Sequence, residues 1–443
     1  MKIGLTWNLR TLSGYVFAIL LAGCLHAQEI TGNWQGTITP PQGRPMRLVL
    51  QVAHDDSGTL KARIYSIDQG PTGDWADFIV TEDSTVKFVV GMIQLSYEGK
   101  LSPDGNTITG TWTQGSSFPF IFRKATKDTA WALPADPTSH TVQFVTVEPG
   151  VKLEVLDWGG RGRPLVFLAG LGDTAHVFDN FAPKFTSRYH VYGITRRGFG
   201  ESSYPTPDRE NYSSDRLGDD VLAVLATLNL QKPVLIGHSI AGEELSSISS
   251  RHPEKVSGLI YLDPGYSAFY TLALGDTQLD MLETRNKIEQ LLPYDPTGQK
   301  QPIAALLATL PQLEKDLQRE LKMKQAIPPL ASNAPSPTTP QPRATGAFFA
   351  IFNEEQKYTK ITAPCLAIFA VPHDGALPTD PAHHAAAAAF ELQRSTDMSN
   401  AFETGVPSAK VVRLRNANHY LFRSNEAEVL DAMNEFLSKL AQP

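Results

Sequence analysis

The chain has 443 residues, 19% charged and 42% hydrophobic, a balance that permits large buried cores and excludes a wholly disordered polypeptide. A formal charge of −7 argues against broad, salt-driven nucleic-acid binding, and the sequence shows no basic stripe, zinc-type Cys/His spacing or phosphate-cradling glycine motif. At this length two or three domains are expected.

Residues 1–27 read as an export signal. Lys2 and Arg10 form a positive n-region, YVFAILLAG is an apolar stretch too short to span a bilayer, and Leu25-His26-Ala27 places a small residue at a cleavage position. Leu21-Ala22-Gly23-Cys24 also resembles a bacterial lipobox, in which Cys24 would carry lipid and tether the protein to a membrane. A periplasmic or extracellular protein is expected. Cleavage at Ala27 leaves Cys365 as the remaining cysteine, so no disulfide framework is expected; its setting, PCLAIFAV, is that of a small core residue.

Residues 28–127 alternate in short runs. RLVLQVA, TLKARIYSI, TVKFVVGM and NTITGTW read as strands, with DDSG and SPDGN as hairpin turns, so a small all-β barrel or sandwich is expected. TGNWQG near its start resembles the Gly-x-Trp opening of lipocalin-like barrels, with Trp34 and Trp112 expected as core aromatics. A proline-containing linker spans 128–140.

From 141 to 443 strands alternate with helices. HTVQFVTV and VKLEVLDW read as a hairpin, and PLVFLAG, YHVYGITR, PVLIGHS, GLIYLDP, CLAIFAV and KVVRLRN are the continuous apolar runs of strands buried on both faces. An α/β fold with a mostly parallel sheet follows. Between 265 and 358 the alternation gives way to two helical stretches and a proline-rich loop, read as a lid inserted between strands.

In GHSIAG, Gly237 to Gly242, a serine sits between a strand and a helix, the context of a sharp turn that lifts Ser239 above the sheet. With FLAGLGDTAHVF and TRRGFGESS, this motif makes the chain from about His140 onward resemble the α/β-hydrolase superfamily. It departs from the family pattern at Ala241, Ala169 and Thr195, where glycine, histidine and aspartate are common. The resemblance implies a serine nucleophile, Ser239, with His419 in ANHYLF as its base. It implies an acid on a strand end, for which Asp374 in PHDGALP is the first choice and Asp263 in IYLDPG the alternative. The N–H groups of Leu171 and Ile240 would form the oxyanion hole. His238 is expected to point away from the chemistry.

Family members that act on epoxides or haloalkanes use an aspartate nucleophile, so serine here implies acyl chemistry on a small-molecule ester. The same residues would also serve for an amide or an activated C–C bond, and the complete trio argues against a binding-only role. No cofactor or metal is expected, and GAFFAIF at 346–352 is a candidate lining for an acyl pocket.

Overall fold

The computed structural model describes residues 30–39, 45–54, 58–68, 73–76, 78–90, 95–114, 116–133, 140–265, 268–292, 298–326, 346–372 and 381–440. The leader with Cys24 and the segment carrying Asp374 lie outside the described residues, as does the proline-rich loop.

The first sheet contains β1 (Gly32–Ile38), β2 (Met46–His54), β3 (Leu60–Ser66), β4 (Gly73–Trp75), β5 (Phe78–Glu82), β6 (Thr85–Val90), β7 (Leu95–Leu101), β8 (Thr107–Gln114) and β9 (Ser116–Lys124). They pair antiparallel in the order β4-β3-β2-β1-β9-β8-β7-β6-β5. Ala76, just past β4, donates its N–H to the carbonyl of Ala62 in β3, and β5 at the far edge packs beside β3. The arrangement is one sheet curled around one core rather than two stacked sheets. Alternation places Trp34, Leu50, Phe88, Tyr97, Ile108 and Phe122 inside. Trp34 is fully buried and donates its indole N–H to the carbonyl of Ile30 at 2.7 Å; Trp112 packs in the same core. Both are core aromatics.

The second sheet has eight strands: β10 (Thr141–Glu148), β11 (Val151–Gly160), β12 (Pro164–Leu168), β13 (His190–Ile194), β14 (Val234–His238), β15 (Gly258–Leu262), β16 (Cys365–Ala370) and β17 (Ala409–Leu414). Their order is β10-β11-β13-β12-β14-β15-β16-β17, antiparallel at β10 and β11 and parallel thereafter. Successive residues serve opposite faces: Leu235, Leu259 and Tyr261 enter one core, Ile236, Ile260 and Leu262 the other. Two-sided burial is the reason these runs lack polar alternation. Cys365 is fully buried, and burial pushes its thiol up to about 12, which leaves it unreactive.

The helices are α1 (Arg209–Tyr212), α2 (Ser214–Thr227) and α3 (Ala241–Arg251), then α4 (Thr277–Glu289), α5 (Lys300–Ala326) and α6 (Ala347–Asn353), then α7 (Pro381–Gly405), α8 (Leu421–Ser424) and α9 (Glu426–Lys439). The helices α4 to α6 fall between β15 and β16, where the lid was expected. Ion pairs tie α4 to the segment after α6, with Lys357 Nζ 2.7 Å from Asp280 Oδ1 and Arg285 Nη2 2.9 Å from Glu354 Oε1, and Arg209 Nε of α1, 3.4 Å from Glu354 Oε2, links that segment to the body.

The two domains touch near the C-terminal ends of the parallel strands. Arg63 of β3 pairs with Glu201 at 2.5 Å, and Trp75 of β4 meets Tyr204 edge-on at 6.4 Å. Between them Asp74 faces Asp173; burial, then the neighbouring Asp173 charge, pushes the Asp74 carboxyl up to about 6.

Two consequences are measurable. Trp34→Ala removes the largest fully buried side chain of the curled sheet and is expected to cost about 3–5 kcal/mol, seen as a lower urea midpoint for that domain. Because the Asp74 pKa is higher folded than unfolded, its contribution to stability is present below its ordinary value near 3.8 and lost as pH rises through about 6. Asp74→Asn is therefore expected to melt above wild type at pH 7.5, with the difference vanishing near pH 4.

Candidate active site

Ser239 stands between β14 and α3 with a backbone φ of +55°, a left-handed conformation that a non-glycine residue adopts only where the surroundings enforce it. Its N–H donates to the carbonyl of Leu262, and its own carbonyl accepts from Gly242 and Gly265, so the next strand end holds the turn. The turn is tight: a Cβ on Gly237 would lie 2.8 Å from Leu245 Cδ1 and 3.0 Å from the Ala241 carbonyl oxygen. Ala241, the departure from the family pattern, is fully buried in the core beneath α3, where a methyl fits.

Across the turn lies the loop after β12. A Cβ on Gly170 would sit 2.8 Å from His238 Nδ1 and 3.3 Å from Ser239 Cβ, so only glycine permits this approach. Leu171 and Ile240 both line the cavity that contains Ser239. Among the described residues, neither of their N–H groups is bonded to a backbone carbonyl. They are the donors available to a developing oxyanion.

His419, in the loop after β17, places Nδ1 2.8 Å from Asp263 Oδ2. A carboxylate only accepts, so Nδ1 carries the proton and Nε2 keeps a lone pair. Asp263 is buried, has φ +43°, and accepts the N–H of Ala370 on its other oxygen at 3.0 Å; its own N–H donates to Ile368 at 2.7 Å. Both carboxylate oxygens thus have fixed partners. The structure brings together Ser239, His419 and the alternative acid Asp263, all lining one cavity. Asp374, the first choice from sequence, lies outside the described residues, and the position facing His419 Nδ1 is taken by Asp263.

His238 turns away from Ser239, yet it is not idle. Its Nε2 donates to the His419 carbonyl at 2.8 Å, and the two rings lie 4.5 Å apart between centroids. Burial, reinforced by the adjacent His419, lowers its pKa to about 3, so it stays neutral and props the main chain at His419.

Sequence reading missed Arg196. This buried residue donates from Nη2 to the Ala169 carbonyl at 2.8 Å and from Nη1 to Gly170 at 3.3 Å, and its Nε bonds Glu244 of α3. One guanidinium therefore spans the loop bearing Leu171 and the helix that begins directly after Ile240. Its signal was the Arg196-Arg197 pair directly following a buried strand, where an unpaired charge is costly. Arg197 is also fully buried, with Asp220 at 2.6 Å through both nitrogens and Glu148 at 2.8 Å. At the two other departures, Ala169 offers its carbonyl to Arg196, and Thr195 Oγ1 donates to Glu154 at 2.6 Å.

The cavity has a volume of about 840 Å³. Met281, Met323, Phe352, Phe390 and Met398 give it apolar walls, while Arg319, Lys324 and Arg394 stand beside Glu320, Glu355 and Asp397. Of the GAFFAIF segment, Phe352 lines the cavity; Ala347, Ala350 and Ile351 instead pack with Phe199, Tyr212 and Ile240. That segment is part pocket and part buttress for the elbow.

Residues 163–424 match the family model described as alpha/beta hydrolase fold. Epoxide hydrolase 4 of Mus musculus is 30% identical over 162 residues, 36% of this chain and 45% of that protein. Fluoroacetate dehalogenase of Burkholderia sp is 33% identical over 115 residues, 25% of this chain and 38% of that protein. The chain thus spans less than half the length of these relatives. A Bacillus megaterium epoxide hydrolase structure aligns with 67% of this chain and 100% of its own, at 18% identity and a TM-score of 0.42. With residues 163–424 matched by that family model, the chain belongs to the α/β-hydrolase family.

Proposed function

We propose that the protein is an exported carboxylic ester hydrolase that forms an acyl-enzyme on Ser239, with His419 as general base and Asp263 as the acid. The observation that carries this reading is the 2.8 Å contact of His419 Nδ1 with a buried, doubly anchored Asp263, in the cavity that Ser239 enters from a strained elbow. His419 Nε2 takes the Ser239 proton as Oγ attacks the ester carbonyl. Asp263 stabilises the imidazolium, and the N–H groups of Leu171 and Ile240 receive the oxyanion. The protonated His419 then delivers its proton to the leaving alcohol, and water repeats the sequence to release the acid.

The nucleophile's chemistry favours acyl transfer over the reactions named in the epoxide hydrolase and dehalogenase relatives. Alkylation of a serine would give an ether that water does not cleave under these conditions, whereas an acyl-serine ester is hydrolysed by the same histidine. The cavity volume and its methionine and phenylalanine walls suit an acyl chain of small to medium length, since thioether side chains adapt to varied apolar shapes.

Two measurements test this. Exposure to a fluorophosphonate, followed by intact-mass spectrometry, is expected to give one adduct mapped to Ser239, absent in Ser239→Ala and strongly slowed in His419→Ala; a folded wild-type protein that takes up no adduct overturns the mechanism. Asp263→Asn is expected to lower kcat for a p-nitrophenyl ester by about 10³–10⁴-fold, whereas Asp374→Asn leaves it within a few-fold. The opposite ranking would assign the acid to Asp374.

A further inference from the structure

A second cluster of ligand-type side chains lies apart from the catalytic cavity. His140 immediately precedes β10, His176 lies in the 3₁₀ turn Ala175–Phe178, and Asp179 caps that turn. Their candidate donor atoms all fall within 4.8 Å of one another. Asp179 Oδ1 is 3.4 Å from His140 Nδ1, Asp179 Oδ2 is 2.9 Å from His176 Nδ1, and the two imidazoles are 5.1 Å apart between centroids. Ligands at the usual zinc distances stand about 3.4 Å from each other around a tetrahedral ion, so small side-chain adjustments would bring these three onto one centre. None of the three lines the cavity that holds Ser239.

The surroundings have the organisation of a metal site's outer shell. The far nitrogen of His176, Nε2, faces Glu154 Oε1 at 3.6 Å, and Glu154 is itself held by the Thr195 hydroxyl. A carboxylate behind a ligating imidazole fixes its orientation and raises its basicity. The Trp158 indole N–H donates to Asp179 Oδ1 at 3.0 Å, which orients the third ligand. The side chains of His140 and Asp179 are only 8% and 9% exposed, so an ion here would sit nearly shielded from solvent. Two imidazoles and one carboxylate suit a borderline divalent ion better than magnesium or calcium, which prefer all-oxygen shells. No compact spacing marks this cluster, because His140 and the His176/Asp179 pair lie on separate elements.

We propose that His140, His176 and Asp179 bind one divalent first-row transition ion, zinc matching the donor set best. The ion has a structural role. It staples the entry of the chain into the hydrolase sheet to the turn that follows the Leu171 loop; that turn is already fastened to β13 by the Ala175 N–H to Thr195 hydroxyl bond. The competing occupant is a proton, which would leave His176 as an imidazolium paired with Asp179 and Glu154.

The purified chain, stripped with a chelator and dialysed, is titrated with zinc chloride alone, with magnesium chloride as control. Bound metal is counted by mass spectrometry and stability read from the melting temperature. Wild type is expected to retain about one zinc per chain after buffer exchange and to melt roughly 5 °C higher at zinc concentrations ~100 times the dissociation constant, with no response to magnesium. His140→Gln and Asp179→Asn are expected to lose both responses while melting near stripped wild type, which separates lost binding from a folding defect. Absence of zinc retention by wild type, or equal retention by both variants, overturns the proposal.

Discussion

Charge buried away from water is tolerated only where partners are built around it, and the guanidinium of Arg196 makes that requirement the organising constraint of the site. It is buried with Glu244, and burial pushes that carboxyl above its usual range against the pull of the arginine. The carbonyls of Ala169 and Gly170 take the remaining donors. Satisfying one cation thus fixes the spacing between the loop after β12 and the first turn of α3. Those are the segments that bring Leu171 and Ile240 to the cavity that Ser239 lines. The close approach at Gly170 and the left-handed backbone at Ser239 are sustained by this clamp together with the anchoring of the elbow to Leu262.

Much of this architecture was legible because it is written in local patterns. The buried strands announced themselves as continuous apolar runs, the curled sheet as alternating ones, and the elbow as small residues around Ser239. The acid was harder to read. Asp263 and Asp374 each follow a strand, and a strand-terminal aspartate has the same local signature whether it caps a turn or orients a histidine. What distinguishes Asp263 is tertiary: the Ala370 N–H and His419 reach it from β16 and from the loop after β17, far away in sequence. The role of Arg196 was hidden for the same reason, since its partners are main-chain carbonyls that leave no trace in residue identity.

The N-terminal domain is more than an appendage in space. Through Arg63, Asp74 and Trp75 it rests on the segment 200–204 and on Asp173, within the same wall that carries the oxyanion loop. Tyr420, next to His419, contacts the ring of His238 at 5.0 Å and feels the charge of both Asp173 and Asp74. The curled sheet therefore borders the loops that carry Asp173 and Tyr420 directly, and its acidic edge sets part of the electrostatic environment at that rim.

The lid leaves and re-enters the fold at two strands that remain paired: Leu259 lies opposite Cys365 and Leu262 opposite Ile368, in unbroken parallel register. Closing a longer or shorter excursion between fixed ends changes the chain entropy by only about 0.6 kcal/mol per doubling of length. The sheet is therefore nearly indifferent to what is inserted there. Most of the cavity wall comes from that excursion and from α7, whereas Ser239, Asp263 and His419 stand on the segments that directly follow strands β14, β15 and β17. Selection can thus rewrite the wall of the cavity while leaving the strand-end positions of Ser239, Asp263 and His419 untouched, so the shape of the cavity is free to drift faster than the trio at its base.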